Sequence, residues 1–378
     1  MQFSINQSVL KVINQIENAG GEAYIVGGCV RDILLSHCPQ DFDVATSLPP
    51  ERIIEIFPKT IATGLKHGTV TVVMDQEMIE VTTYRTDGKY NDSRHPEKVF
   101  FVSNLSEDLS RRDFTVNAIA YNPKSGIVDK FNGIDDLNNG ILRAVGNPSK
   151  RFSEDALRIM RLFRFACQLD FAIEENTLST ALNLSNNLNS ISRERIATEL
   201  FKALMSEHPE RISPLIKTNA LSFCGIGSDT VSKEISNLPL DRDIRFYKFI
   251  MDLKGEHITV CKELKTDKNL QRFCADVSEI LLNPPKNISE CKKTLQKYSK
   301  KATYSALVLS GGDAEMISYI EESNEPYRIS DLAVTGEDLK EIGICGKAIG
   351  KALEKLALFI IDNPDCNTKE ELIKHLLK

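Results

Sequence analysis

Cysteine occurs nine times but in no useful arrangement: there is no C-x-x-C pair and no Cys/His spacing that would build a zinc site, so these thiols are expected to be buried or incidental in a reducing compartment. No apolar run approaches the length that crosses a bilayer. The opening stretch MQFSINQSVLKVINQIENAG interleaves polar residues too often to hold the apolar core of a signal peptide. The expectation is a cytoplasmic protein with no membrane partner. Internal repeats at a solenoid period and low-complexity tracts are also missing, which sets aside repeat and disordered architectures. An excess of positive charge is lacking too. A net charge of −6 argues against indiscriminate binding to nucleic acid, while leaving room for a local basic groove.

What is present is the composition of a soluble globular protein, 42% hydrophobic and 26% charged over 378 residues. At roughly 100 to 200 residues per domain, that length accommodates two to four units. Apolar side chains at near-helical spacing from Phe3 to Ile16 predict an opening helix over 3–18, stopped by Gly20-Gly21. AYIVGG followed by CVRDILLS reads as strand, tight turn and helix. DFDVAT, GTVTVVMD and MIEVTTYR then read as strands, the last two as a hairpin. Nearly everything after Ser153 has helical periodicity, as in SEDALRIMRLFRFACQ and RERIATELFKALM, with polar breaks such as NLSNNLNSIS. A mixed α/β head of about 145 residues is therefore followed by an all-α remainder.

Asp41 and Asp43 stand two apart, and in a strand such residues project from one face while Phe42 and Val44 turn to the core. Two carboxylates converging on one point repel unless a cation lies between them, and Mg²⁺ favours carboxylates together with substrate phosphates. D-x-D alone is a common surface pattern. Its context is more specific: Gly27 and Gly28 upstream let a backbone approach phosphate at a helix start, and Arg31 follows one turn later. Further along, Asp113 is placed to cap a helix over Phe114 to Ala120. Ser153 is placed to cap a helix whose positions 156, 157, 159, 160, 162, 163, 165 and 166 are all apolar. Arg158, Arg161 and Arg164 recur every third residue along that helix, and arginine is rarely buried without a partner. A ridge of salt bridges is the plain alternative. The economical functional arrangement sets Asp155 and Arg158 at a base edge, with Arg161 and Arg164 further along toward phosphate or neighbouring carboxylates.

The strings GGCVRDILLS, DFDVATSLPPE, LSRRDFTVNAIAY and the ED-x-x-R run beginning at Glu154 together resemble the class II tRNA nucleotidyltransferase and bacterial poly(A) polymerase superfamily. The resemblance implies an α+β head with a polymerase-beta-like nucleotidyltransferase fold, followed by an all-α neck, body and tail. Their expected bounds are 1–145, 146–205, 206–300 and 301–378. It implies that Asp41 and Asp43 hold catalytic Mg²⁺, that Gly27, Gly28 and Arg31 hold a triphosphate, and that Arg112 faces the nucleotide. Asp155 and Arg158 carry over as base-reading residues. Cytosine and adenine present an amino donor beside a ring-nitrogen acceptor, which a carboxylate and a guanidinium complement, whereas uracil and guanine present a carbonyl beside an N–H. Glu80 is either a third catalytic carboxylate or a solvent-facing strand residue.

The implied substrates are CTP, ATP and tRNA gripped by its acceptor and T arms, with no stable protein partner. Among the specificities that share such a head, TGLKHGTVTVVMD differs from the GRRFRLAHV-like strand of poly(A) polymerases, which favours tRNA. The full-length loop TYRTDGKYNDSRHPEKV favours complete CCA addition over CC or A addition. No catalytic role is assigned within that loop to Arg85, Tyr90, Asp92, Arg94 or Pro96. A head without catalysis serving RNA binding, or a transferase acting on a small molecule, is disfavoured by the intact acidic motifs and by the long helical half.

Overall fold

The computed structural model describes residues 5–39, 41–87 and 99–377, so Tyr90, Asp92, Arg94 and Pro96 of the polar loop lie outside the described residues. The first helix, α1 (Gln7–Asn18), begins where the Asn6 side chain accepts from the Ser8 amide. It buries Val9, Val12, Ile13 and Ile16, one stripe of a helix. Seven strands form the head sheet: β1 (Ala23–Val26), β2 (Asp43–Thr46), β3 (Thr60–Gly64), β4 (Thr69–Met74), β5 (Glu77–Thr83), β8 (Ile119–Asn122) and β9 (Gly126–Asp129), in the order β3-β4-β5-β2-β1-β8-β9. Two further strands, β6 (Arg85–Asp87) and β7 (Val99–Phe101), pair separately as an antiparallel ribbon. Within the seven-stranded sheet only the β2/β5 pair is parallel.

Strand alternation gives the sheet two different faces. Ile25, Val44, Ile79, Val81 and Ile119 pack with α1, with Val30 of α2 (Gly28–Leu34) and with Ile53 of α3 (Pro50–Ile56). Val26, Ala45 and Ala120 face the other way, onto Leu105 and Leu109 of α4 (Leu105–Ser110) and the buried Tyr84. Asp43 shares the parity of Ala45, and Glu80 lies opposite Asp43 in the β2/β5 register. Both carboxylates therefore belong to the α4 face.

Three local expectations are overturned. The helix predicted over Phe114 to Ala120 is a single 3₁₀ turn, Thr115–Asn117, leading into β8. Pairing of β8 with β1 on one side and β9 on the other outweighs the helical reading of an apolar run that fits either period. The helix expected to start at Ser153 is two helices, α6 (Pro148–Glu154) and α7 (Leu157–Leu169). Ser153 lies inside α6, whose cap is Asn147, and Asp155 is extended at the break with φ −143° and ψ 105°. The eight apolar positions between 156 and 166 are all buried, as expected. Asp41 precedes β2 rather than lying within it.

After α5 (Gly133–Asn138) the chain is helical apart from the two-residue parallel pair β10 (Ile141–Leu142) and β11 (Ala172–Ile173). Helices α8 (Glu175–Asn183) and α9 (Arg193–Leu204) follow. The chain divides into two compact units, residues 1–255 with 263–265, and residues 256–262 with 266–378. The second unit is built on helices such as Lys268–Leu282, Ile288–Lys297, Lys300–Ser310 and Lys347–Asp362. One of its cores gathers Leu307, Ile317, Ile320 and Ile361, and another gathers Leu332, Leu356, Ile360 and Leu372. In the segment YRISDLAVTGEDLKEIG, Thr335 and Asp338 form a reciprocal capping box at the start of a short helix. No helix among the described residues is long and apolar enough to cross a membrane. None of the nine cysteines is in a disulfide.

Candidate active site

The turn after β1 explains its glycines. Gly27 has φ +82°, a conformation side chains rarely adopt, and a Cβ there would stand 2.9 Å from Arg112 Nη1. The turn thus brings backbone, Arg112 and, through the β1/β2 register, Asp43 to one place. A cavity of about 700 Å³ opens there. Gly27, Gly28, Arg31 and Asp43 line one side, and Arg111, Arg112, Asp113 and Asn117 line another. Asp155, Arg158, Arg161, Arg164, Phe165 and Gln168 contribute from α7 and its entry, and Arg195 and Lys202 from α9. Nine of the eleven residues singled out from the sequence are among these lining residues; Asp41 and Glu80 are not.

The carboxylate side is under-compensated. Burial raises the pKa of Asp43, the neighbouring Glu80 and Asp41 charges push it further in the same direction, and Arg112 opposes them. Oxygen donors crowded in this way suit a hard divalent cation, whose charge would favour their ionised forms. Asp43, which feels the Asp41 charge beside it, could hold such an ion. No group of three or more His, Cys, Asp or Glu side chains among the described residues is arranged to hold a metal.

The opposite side is compensated pair by pair. Asp113 Oδ1 accepts from the Phe114 amide (2.9 Å) and from Asn117 Nδ2 (3.1 Å), while Oδ2 accepts from Arg161 Nε (2.8 Å) and Nη2 (2.5 Å). Burial works against the Asp113 charge, but Arg161 and these hydrogen bonds outweigh it and hold the carboxyl at about 2. Asp113 thus ties the LSRRDFTVNAIAY segment to α7 instead of capping a helix. Arg164 is paired with Glu199 of α9, Nε to Oε2 at 2.8 Å. Burial, helped by Arg161, still lowers the Arg164 guanidinium to about 10 against the pull of Glu199. Arg158 donates from Nη1 to Glu154 Oε2 (2.7 Å) and the Arg151 carbonyl (3.1 Å), and from Nη2 to the Arg111 carbonyl (3.0 Å). Asp155 Oδ1 accepts from the Leu157 amide at 2.9 Å, starting α7 as a cap would, and Oδ2 accepts from Arg195 Nη2 at 2.8 Å.

Arg31 reaches the cavity wall rather than open solvent, with Nη1 donating to Asn117 Oδ1 at 2.8 Å and Nε and Nη2 donating to Asp32 Oδ1 at 2.9 and 2.7 Å. The Phe165 ring carries three guanidinium groups, of Arg164 at 4.0 Å, Arg31 at 5.1 Å and Arg161 at 5.3 Å. Arg111 and Arg112 both turn to Asp108, which is 1% exposed. Asn117, Phe165, Gln168, Arg195, Glu199 and Lys202 escaped the sequence reading. One signal was available for α9: Arg195, Glu199 and Lys202 recur at helical spacing among the apolar Ile196, Leu200 and Ala203, so charge shares a helix with a packing stripe.

Comparison with known proteins places the chain among its relatives. The family model of the poly A polymerase head domain matches residues 23–143. A second, described as the probable RNA and SrmB-binding site of polymerase A, matches residues 170–224. A CCA-adding enzyme from Ligilactobacillus salivarius (strain UCC118) is 35% identical, the match covering 98% of this chain and 96% of that protein. Another, from Streptococcus mutans serotype c, is 38% identical over 98% and 97% of the two chains. The solved structure of a Bacillus stearothermophilus CCA-adding enzyme in complex with CTP superimposes with a TM-score of 0.80 at 28% identity, covering 98% of this chain and 97% of that one. On this full-length similarity, and with the head sheet and its arginine-lined cavity in place, the chain belongs to the CCA-adding enzyme family of nucleotidyltransferases.

Proposed function

We propose that the protein adds C, C and A to the 3′ end of tRNA from CTP and ATP, releasing pyrophosphate, with its own side chains in place of a template. The observation that carries this reading is a single cavity with a phosphate-compatible glycine turn and Asp43 on one side and the Asp155/Arg158 pair on the other. The solved CCA-adding enzyme with CTP bound supports it through its similarity over nearly the whole chain.

Gly27 and Gly28 admit the triphosphate, Arg31 and Arg112 neutralise it, and Asp155 and Arg158 accept and donate at the base edge. Arg158 arrives pre-oriented, because Glu154 and two backbone carbonyls fix its guanidinium plane. Arg161 and Arg164 hold α7 against Asp113 and α9. Asp41 and Asp43 would hold Mg²⁺, which when bound lowers the pKa of the attacking hydroxyl and neutralises charge on the leaving group. Glu80, across the strand pair from Asp43, is the third acid of the set. The head spans 1–145, the neck 146–205, the body 206–300, and the tail 301–378 binds tRNA through backbone shape.

The test incubates the protein with Mg²⁺, tRNA ending at its discriminator base, and each NTP singly and then together. Addition of three nucleotides in the order C, C, A is expected. Long A tails, or arrest after two C residues, would replace this reading with a poly(A) or CC-adding specificity.

A further inference from the structure

Asp155 lies at the break between α6 and α7, where no helical backbone ladder surrounds it. Two hydrogen bonds orient its carboxylate. One is local, from the Leu157 amide to Oδ1 at 2.9 Å; the other crosses forty residues, from Arg195 Nη2 on α9 to Oδ2 at 2.8 Å. A single bond would leave the carboxylate free to swing about it, whereas two bonds fix its plane. An ionised carboxylate has about four acceptor sites, so two remain for an incoming amino group.

Contacts other than Arg195 anchor α9. Ile196, Leu200 and Ala203 are buried, and the Arg164–Glu199 pair ties α9 to α7. Arg195 also binds differently from Arg161 and Arg31. Arg161 turns both Nε and Nη2 onto Asp113, and Arg31 does the same to Asp32. Arg195 gives Asp155 one nitrogen and leaves Nη1 buried without a partner among the described residues, beside the cavity it lines. Leaving a buried donor unpaired is costly and is seldom retained for packing alone.

We propose that Arg195 is a positioning residue for base selection, fixing Asp155 as an acceptor aimed at the amino edge of cytosine and adenine and so setting the preference against uracil and guanine. This inference rests on the function proposed above. Arg195 acts through Asp155, so its loss should matter only for bases that carry the amino group.

That dependence defines the experiment. Single-nucleotide addition to tRNA lacking CCA is measured for wild type, R195M and R195K with CTP, UTP and the triphosphate of 2-pyrimidinone riboside, a cytidine without its 4-amino group. The comparison is the ratio of kcat/KM values within each variant, which cancels any loss of folded enzyme. R195M is expected to lower kcat/KM for CTP about tenfold or more, the size of one charge-assisted hydrogen bond. It should change the 2-pyrimidinone analogue by less than about twofold and narrow the CTP/UTP ratio, with R195K recovering part of the loss. Equal losses for CTP and the analogue would reduce Arg195 to a structural role and overturn the proposal, as would an unchanged CTP/UTP ratio. A wild type that fails to prefer CTP to UTP would instead sink the functional reading, and this inference with it.

Discussion

The two walls of the cavity are charged in opposite ways and for opposite reasons. On the strand side, Asp43 is pressed by burial, Glu80 and Asp41, and its pKa rises. On the helix side, Asp113 is more deeply placed, only 7% exposed, yet Arg161 and Asn117 satisfy it and its pKa falls to about 2. A carboxylate left electrostatically unsatisfied is poised to gain from a cation, whereas a satisfied one behaves as a strut. The difference separates residues that do chemistry from residues that hold chemistry in register, and it follows the partners rather than the depth, since the more deeply buried acid has the lower pKa.

The sharpest break comes on the strand side. Asp43→Asn should abolish transfer of every nucleotide, by roughly a thousandfold or more, without lowering thermal stability, because it relieves like-charge crowding. Extension assays with each NTP and a melting curve check both parts. A variant that kept activity, or melted well below wild type, would move Asp43 to the structural side of the comparison.

On the helix side the first cost should be stability. Arg164→Met strands Glu199 in a buried site, and breaking one partner of a buried pair costs about 3 kcal/mol. Urea unfolding of R164M, alone and combined with Glu199→Leu, should show the double variant recovering much of that loss.

Asp155→Ala is expected to fall between the walls. Correct addition should drop on the order of a hundredfold, with UTP and GTP gaining relative to CTP and ATP, while Mg²⁺ dependence stays as in wild type. A shifted Mg²⁺ requirement would tie Asp155 to the metal side instead.

The smallest effect is a pH dependence. A carboxyl depressed to about 2 from a usual 3.8 contributes stability that is present above the usual value and lost as pH falls through about 2. The magnitude is on the order of 2 kcal/mol. Asp43, raised instead, works in the opposite sense: stability tied to its protonated form is lost as pH rises through its raised pKa. Acid unfolding of wild type against Asp113→Asn isolates the first contribution, since the variant should lose its share of the slope between about pH 4 and 2.

Much of the head was legible because strands repeat every two residues. The alternation in DFDVAT placed Val44 in the core, and the β4/β5 hairpin lies where GTVTVVMD and MIEVTTYR suggested. The buried apolar run of α7 was equally plain. The failures share a cause. FTVNAIA is apolar enough for either helix or strand, and only neighbours distant in sequence decided for β8. Ser153 looks like a cap by composition, yet the backbone breaks two residues later, where Asp155 gains a partner from α9. Arg161 and Arg164 were expected near phosphate or neighbouring carboxylates, and Asp113 and Glu199 are the carboxylates they meet.

Local spacing was enough to nominate the chemistry: paired acids two apart, glycines at a turn, and an acid followed three residues later by arginine are short-range relations that backbone geometry converts directly into shared faces. Which arginines carry a counter-charge, which acid remains crowded, and which helix reaches across to hold Asp155 were settled only by packing. Those outcomes depend on contacts such as Asp113–Arg161, Asp155–Arg195, Arg164–Glu199 and Asp43–Glu80, all 35 or more residues apart, and the energy of a charge is set by whatever the fold brings within a few ångströms of it.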